Sequence, residues 1–182
     1  MDEQVLRAMA RWPDVPAAWG WLRLDRRGRW LLVDRGRPGF DEARDGAGSP
    51  ITNPQIVDFI GRNYRSDEQG RWYWQNGPQR VYVDLEAAPL VLRVLGEAQA
   101  PRFVTHTGQL VGHIEAGWVG PGGEVLLRTD VGPAAVHDLD LTLLAFGQHG
   151  ETVELALAER TLELTSTASP ADTLGFVSMP RP

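Results

Sequence analysis

Residues 71–85 read Arg71-Trp72-Tyr73-Trp74-Gln75-Asn76-Gly77-Pro78-Gln79-Arg80-Val81-Tyr82-Val83-Asp84-Leu85, two runs of aromatic and β-branched residues around an Asn-Gly pair. Asn-Gly supports the positive φ angles of a tight hairpin turn, and the flanking residue types suit a pleated surface, so the stretch predicts a β-hairpin. Strand alternation sets Trp72 and Trp74 on one face and Arg71, Tyr73 and Gln75 on the other; Arg80, Tyr82 and Asp84 share a face opposite Val81 and Val83. One face is apolar and the other polar-aromatic. An aromatic strand face must be covered, so the hairpin belongs to a larger sheet packed against helices.

Working outward, residues 21–34 echo this pattern. Trp21-Leu22-Arg23-Leu24-Asp25 and Arg29-Trp30-Leu31-Leu32-Val33-Asp34 flank a charged turn containing Gly28, and both units end in an aliphatic–Asp pair. Each lies close to a helix. The first helix is expected over residues 3–12, with Asp2 as its cap and Pro13 as its stop. The second opens at Asn53-Pro54 and runs to about residue 64, because Asn supplies a capping oxygen and Pro fits the first turn. Residues 35–50, rich in Gly, Asp and Pro, read as a mobile surface loop. A further strand is expected at 90–95, and the small, polar stretch 96–101 reads as a domain junction.

Beyond it, strands are expected at 102–106, 109–118, 124–130, 139–146, 152–157, 161–165 and 174–177, separated by Gly- and Pro-containing turns. Residues 138–143 alternate strictly, which predicts a half-buried strand with its carboxylates facing water. The chain is thus read as α+β with two small β-rich domains. Residues 1–95 hold the helix-plus-hairpin units, and residues 96–182 form a mainly antiparallel β sheet or barrel.

Composition narrows the chemistry. With 42% hydrophobic and 23% charged residues the 182-residue chain is a globular protein, long enough to bury a core without staples. No cysteine is present, so disulfide frameworks and thiolate chemistry are excluded. All 18 basic residues are Arg and none is Lys, which removes Schiff-base chemistry and the Walker-type phosphate loop. Residues 1–91 carry 13 Arg against 13 acids, and residues 92–182 carry 5 Arg against 11 acids, so the net charge of −6 lies in the second half. A chain of this sign repels a phosphate backbone at long range, so no nucleic-acid partner is expected. The acidic start Met1-Asp2-Glu3-Gln4 lacks the pattern of a secretory leader, and no apolar run approaches a membrane span. A cytoplasmic protein without a membrane partner is expected.

The residues Gly28-Arg29-Trp30, Ile51-Thr52-Asn53-Pro54-Gln55-Ile56-Val57-Asp58-Phe59 and Arg80-Val81-Tyr82-Val83-Asp84-Leu85-Glu86-Ala87-Ala88-Pro89 resemble an uncharacterised bacterial family, domain of unknown function 1285, or a close relative. The likeness covers roughly residues 21–95. It implies a protein of two β-rich parts with repeated helix-and-hairpin units and a role in ligand binding or signalling. It carries no catalytic residue.

Two groups of side chains stand out. Arg71, Tyr73, Arg80 and Tyr82, extended by Arg62 at the end of the second helix, would offer guanidinium forks and rings to a carboxylate or phosphate. Ordinary cross-strand packing, with Asp84 satisfying Arg80, accounts for the same residues. The histidines His106, His113, His137 and His149 all lie in the second half; His106, His113 and His137 are the ligands a metal site would use, although their spacing matches no metal motif. Asp138/Asp140 and Glu151/Glu154 are carboxylate pairs on segments whose solvent face must be polar in any case. Gly117, Gly120, Gly122 and Gly123 join two strands rather than opening a helix, so they form a loop and not a nucleotide fingerprint. No cofactor is called for. The leading expectation is a noncatalytic ligand-binding or regulatory module for a small molecule or protein partner, docking on the Arg/Tyr face or between the domains. The alternatives are a metal-dependent or His/carboxylate hydrolase and a protein-interaction scaffold.

Overall fold

The computed structural model describes residues 1–150 and 152–182; Glu151, one half of a carboxylate pair named above, lies outside them. The chain is β-rich α+β, 41% strand and 18% helix, built on two sheets. It divides into two compact units, one of residues 1–25, 29–86 and 176–182, the other of residues 26–28 and 87–175. No helix among the described residues is long and apolar enough to cross a membrane.

In the first unit, α1 (Glu3–Arg11) is followed by β1 (Ala18–Leu24), β2 (Trp30–Leu32), α2 (Glu42–Asp45), β3 (Ser49–Pro50), α3 (Pro54–Arg62), β4 (Tyr64–Ser66), β5 (Trp72–Asn76) and β6 (Gln79–Leu85). The sheet order is β3-β2-β1-β6-β5-β4. The two echoing hairpins, β1–β2 and β5–β6, therefore join in one sheet, and they do so through parallel pairing of β1 with β6, Leu22 opposite Val83 and Leu24 opposite Leu85. That places β6 in the middle, where Val81 to Leu85 are buried on both faces. The tight turn of the second hairpin is Gly77-Pro78, with Gly77 at φ +56°. Asn76 is the last residue of its strand, opposite Gln79.

Asn53 caps α3 as its sequence predicts, accepting from the amide of Gln55 at 2.9 Å. Asp2 does not cap α1 with its side chain. Its carboxylate is held instead by Arg62 at 3.2 Å, and its amide donates to Asn63 Oδ1 at 2.8 Å. Asn63, wholly buried, also donates to the Phe59 carbonyl at 2.9 Å and accepts the Gln75 amide at 2.9 Å, so one amide side chain and its backbone tie α1, α3 and β5 together. The segment expected as a mobile loop carries α2 and the edge strand β3. Arg35 organises it by donating to the Gly20 carbonyl at 2.7 Å and to Glu42, and Asp41 caps α2 through the Arg44 amide. Residues 176–182 return to this unit: Leu85 donates to the Ser178 carbonyl at 2.8 Å, Val177 to the Gly70 carbonyl at 3.0 Å, and Arg181 grips Asp84 at 2.6 Å.

The second unit holds β7 (Leu90–Glu97), β8 (Ala100–Thr105), β9 (Ile114–Val119), β10 (Val125–Thr129), β11 (Gly132–Val136), a 3-10 helix (Asp138–Leu143), β12 (Phe146–His149), β13 (Thr152–Leu157), β14 (Arg160–Ser166) and α4 (Pro170–Leu174). Its order is β12-β13-β14-β9-β10-β11-β7-β8, antiparallel except where β14 meets β9 and β11 meets β7, and the sheet curls into a half-barrel. Residues 96–101 form the end of the β7–β8 hairpin, Gly96 opposite Pro101. Gly117 sits mid-strand in β9, where a Cβ would fall 2.4 Å from Leu164 Cδ2. Its lack of a side chain is what lets Leu162, Leu164 and Leu127 close over it.

The strand expected over residues 138–143 is a 3-10 helix with the opposite sidedness. Leu139 and Leu143 are exposed while Asp140 is buried. The reason is a partner 47 positions away in sequence: Asp140 accepts Arg93 Nε at 2.6 Å and Nη2 at 3.0 Å, and the Val94 amide at 2.9 Å. A carboxylate with three donors is stable inside, and its burial reverses the pattern that alternation alone suggests. Residues 174–177, also expected as a strand, begin on Leu174, the last residue of α4, and pass through its C-cap Gly175 at φ +76°.

Candidate functional site

The polar-aromatic face of β5–β6 is assembled by register. Tyr73 stands opposite Tyr82, and Gln75 opposite Arg80. The Tyr73 and Tyr82 ring centroids are 5.5 Å apart, and the Arg80 guanidinium lies over the Tyr73 ring at 4.9 Å. Beneath them runs a second layer that the sequence did not announce. Trp19 of β1 stacks flat on Tyr82, centroids 3.8 Å apart and planes 2° from parallel. It gets there because the β1–β6 register shifts between Ala18 and Leu22 around Gly20, whose φ is +72°.

Asp67 is the other residue that sequence reasoning missed. It opens the turn between β4 and β5 and accepts the amides of Gln69 and Arg71 at 3.0 Å each, Arg71 Nε at 2.8 Å and the Tyr82 hydroxyl at 3.1 Å. Burial pushes its carboxyl up, but the Arg71 side chain, the two amides and the Tyr82 hydroxyl together outweigh it and hold the group below the usual carboxylate range. Asp67 followed three residues later by Gly70 is a turn signature, and that was the available signal. Arg71 is thereby engaged on all sides: it bonds Asp67, reaches the Tyr82 hydroxyl at 3.4 Å and lies over the rings of Trp19 and Tyr82.

Arg80 differs. It is exposed, and among the described residues no carboxylate pairs with it; Asp84, the partner expected from the strand alternation, is taken by Arg181 instead. Residues 66–69, Arg71, Tyr73 and Arg80 line an open recess of about 410 Å³. The structure thus brings Arg71, Tyr73, Arg80 and Tyr82 together, with Tyr82 buried as support and Arg80 presented outward. Arg62 lies apart from the recess lining, bound to Asp2, which it holds below the usual carboxylate range.

The histidines do not converge. His106 Nδ1 accepts the Val91 amide at 3.2 Å, and the buried His137 caps the 3-10 helix by accepting the Leu139 amide at 3.2 Å. His113 is exposed on the rim of a recess of about 400 Å³ with Arg102 and Glu159, and His149 is exposed on β12. Asp138 is bound by Arg27 at 2.7 Å, which keeps its carboxyl low. No three His, Asp or Glu side chains among the described residues are grouped to hold a metal ion.

Comparison with known proteins bears on the fold. The model of a family described as "Protein of unknown function (DUF2946)" matches residues 1–181. The chain is similar to a solved structure of a DUF1285 family protein from Silicibacter pomeroyi DSS-3, 19% identical over 79% of each chain with a TM-score of 0.53. A second, from Shewanella baltica OS155, is 13% identical over 67% of this chain and 87% of the other, with a TM-score of 0.44. The resemblance read from the hairpin and helix stretches, to that family or a close relative, is borne out. No curated protein matches.

Proposed function

The chain belongs to the family of unknown function whose model spans it, and from that premise we propose that it is a noncatalytic binding module of regulatory type, holding a small carboxylate- or phosphate-bearing ligand on Arg80 beside Tyr73. The observation that carries this reading is the contrast between two neighbouring guanidiniums. Arg71 spends its donors on Asp67 and Tyr82, whereas Arg80 rests on a ring face and keeps its fork for a guest. A guanidinium presented this way matches a carboxylate or phosphate with two parallel bonds, and the ring beneath holds the fork in place. The recess volume is in the range of small-molecule sites.

The test is a titration with sodium acetate and with inorganic phosphate at constant ionic strength, followed by NMR on the Arg80 side chain and the amides of Gln69 and Tyr73. Saturable shifts confined to these residues are expected, weakened by about tenfold or more in Arg80→Gln. Shifts that persist unchanged in that variant, or none at all with either anion, would remove the assignment.

A further inference from the structure

Arg80 also lines a second recess, of about 350 Å³, whose remaining walls include Met9, Trp12, Pro13, Val15 and Pro78. These walls are apolar, and they come from α1, from the segment that follows it and from the hairpin turn. Trp12, just past the end of α1, is 50% exposed, and the Arg11 guanidinium lies over its ring at 4.7 Å. An indole left half in water beside Met9, Pro13, Val15 and Pro78 gains free energy from any flat apolar guest.

Gln75 also lines this recess and is 1% exposed. Its Nε2 donates to the Gly77 carbonyl at 2.9 Å, which fixes the orientation of the amide, and its Oε1 is buried with no hydrogen-bond partner among the described residues. Apolar walls with one cation among the lining residues make up the composition of a small-molecule site.

We propose that the ligand of Arg80 is an aromatic carboxylate, its ring against Trp12 and its carboxylate on the guanidinium. This rests on the reading of Arg80 as an anion site and narrows it from any small anion to one chemical class. The ring is what an exposed indole and two proline faces select, and the single charge is what the guanidinium selects.

Sodium acetate and sodium phenylacetate are the probes, titrated into the wild-type chain, Trp12→Ala and Arg80→Gln, with the Arg80 side-chain signal and backbone amides as readout. Phenylacetate is expected to bind about tenfold or more tighter than acetate. In Trp12→Ala that advantage is lost while acetate affinity is unchanged, and in Arg80→Gln both ligands are lost. Equal affinities for the two anions at Arg80 would overturn the aromatic assignment and leave the anion site standing. Phenylacetate binding that survives Arg80→Gln would also overturn it, and silence with both probes would remove both readings together.

Discussion

Tyr82 stands between Trp19 and Asp67: one face of its ring stacks on the indole at 3.8 Å, and its hydroxyl donates to the carboxylate at 3.1 Å. One side chain therefore joins β1, β6 and the β4–β5 turn.

Removing the ring and removing the hydroxyl are expected to separate these two roles. Tyr82→Ala loses a side chain that is 3% exposed together with its stacking partner, at about 3–5 kcal/mol of unfolding free energy. Tyr82→Phe keeps the stack and loses one hydrogen bond to a charged acceptor, at about 1–2 kcal/mol. Urea denaturation at neutral pH measures both, and equal losses would contradict the layered arrangement.

Arg71 and Arg80 are expected to respond oppositely to the same substitution. Arg71→Gln strips the half-buried Asp67 of its guanidinium and costs about 1–3 kcal/mol. Arg80→Gln breaks no ion pair, loses only the contact with the Tyr73 ring, and costs at most about 0.5–1 kcal/mol. Thermal melts of the two variants side by side decide it.

Asp140 gives the fold an acid sensitivity. The Arg93 side chain lowers its carboxyl, burial opposes this, and the Val94 amide and the Arg93 charge add to the lowering. For a group held low in the folded chain, the stabilisation is complete above the unfolded value of about 3.9 and disappears as pH falls through the folded value. Asp140→Asn is therefore destabilised at pH 7, and its deficit relative to the wild-type chain shrinks as both are taken below about pH 4. A deficit independent of pH would show that the carboxylate charge is not what Arg93 and Val94 hold.

Gly117→Val drives side-chain atoms into Leu164 and Leu162, which lie 2.4 and 3.0 Å from the position of a Cβ. Overpacking of this kind costs about 1–3 kcal/mol. Gly123→Ala, with no heavy atom within 4 Å of its Cβ position, pays only the strain of φ +81° and serves as the control in the same denaturation series.

The parts of this structure that could be read in advance are those whose causes are local. The β5–β6 hairpin, the Asn53 cap and the two echoing units each follow from residues within a few positions of one another. Alternation alone was enough to collect Arg71, Tyr73, Arg80 and Tyr82 on one face. What escaped depends on partners far along the chain. Trp19 reaches Tyr82 only through a parallel pairing with a register shift, and Asp140 turns inward only because Arg93 meets it. Arg62 left the expected patch for the same reason, since nothing near it in sequence names Asp2 as its partner.

The strap formed by residues 176–182 has a temporal consequence. Its contacts to Gly70, Asp84 and Leu85 are made by a stretch that leaves the ribosome after every residue of the half-barrel. During vectorial synthesis the central strand of the first sheet must therefore wait, with the Asp84 carboxylate ungripped, until the second sheet has emerged, so the unit that begins first is the one completed last.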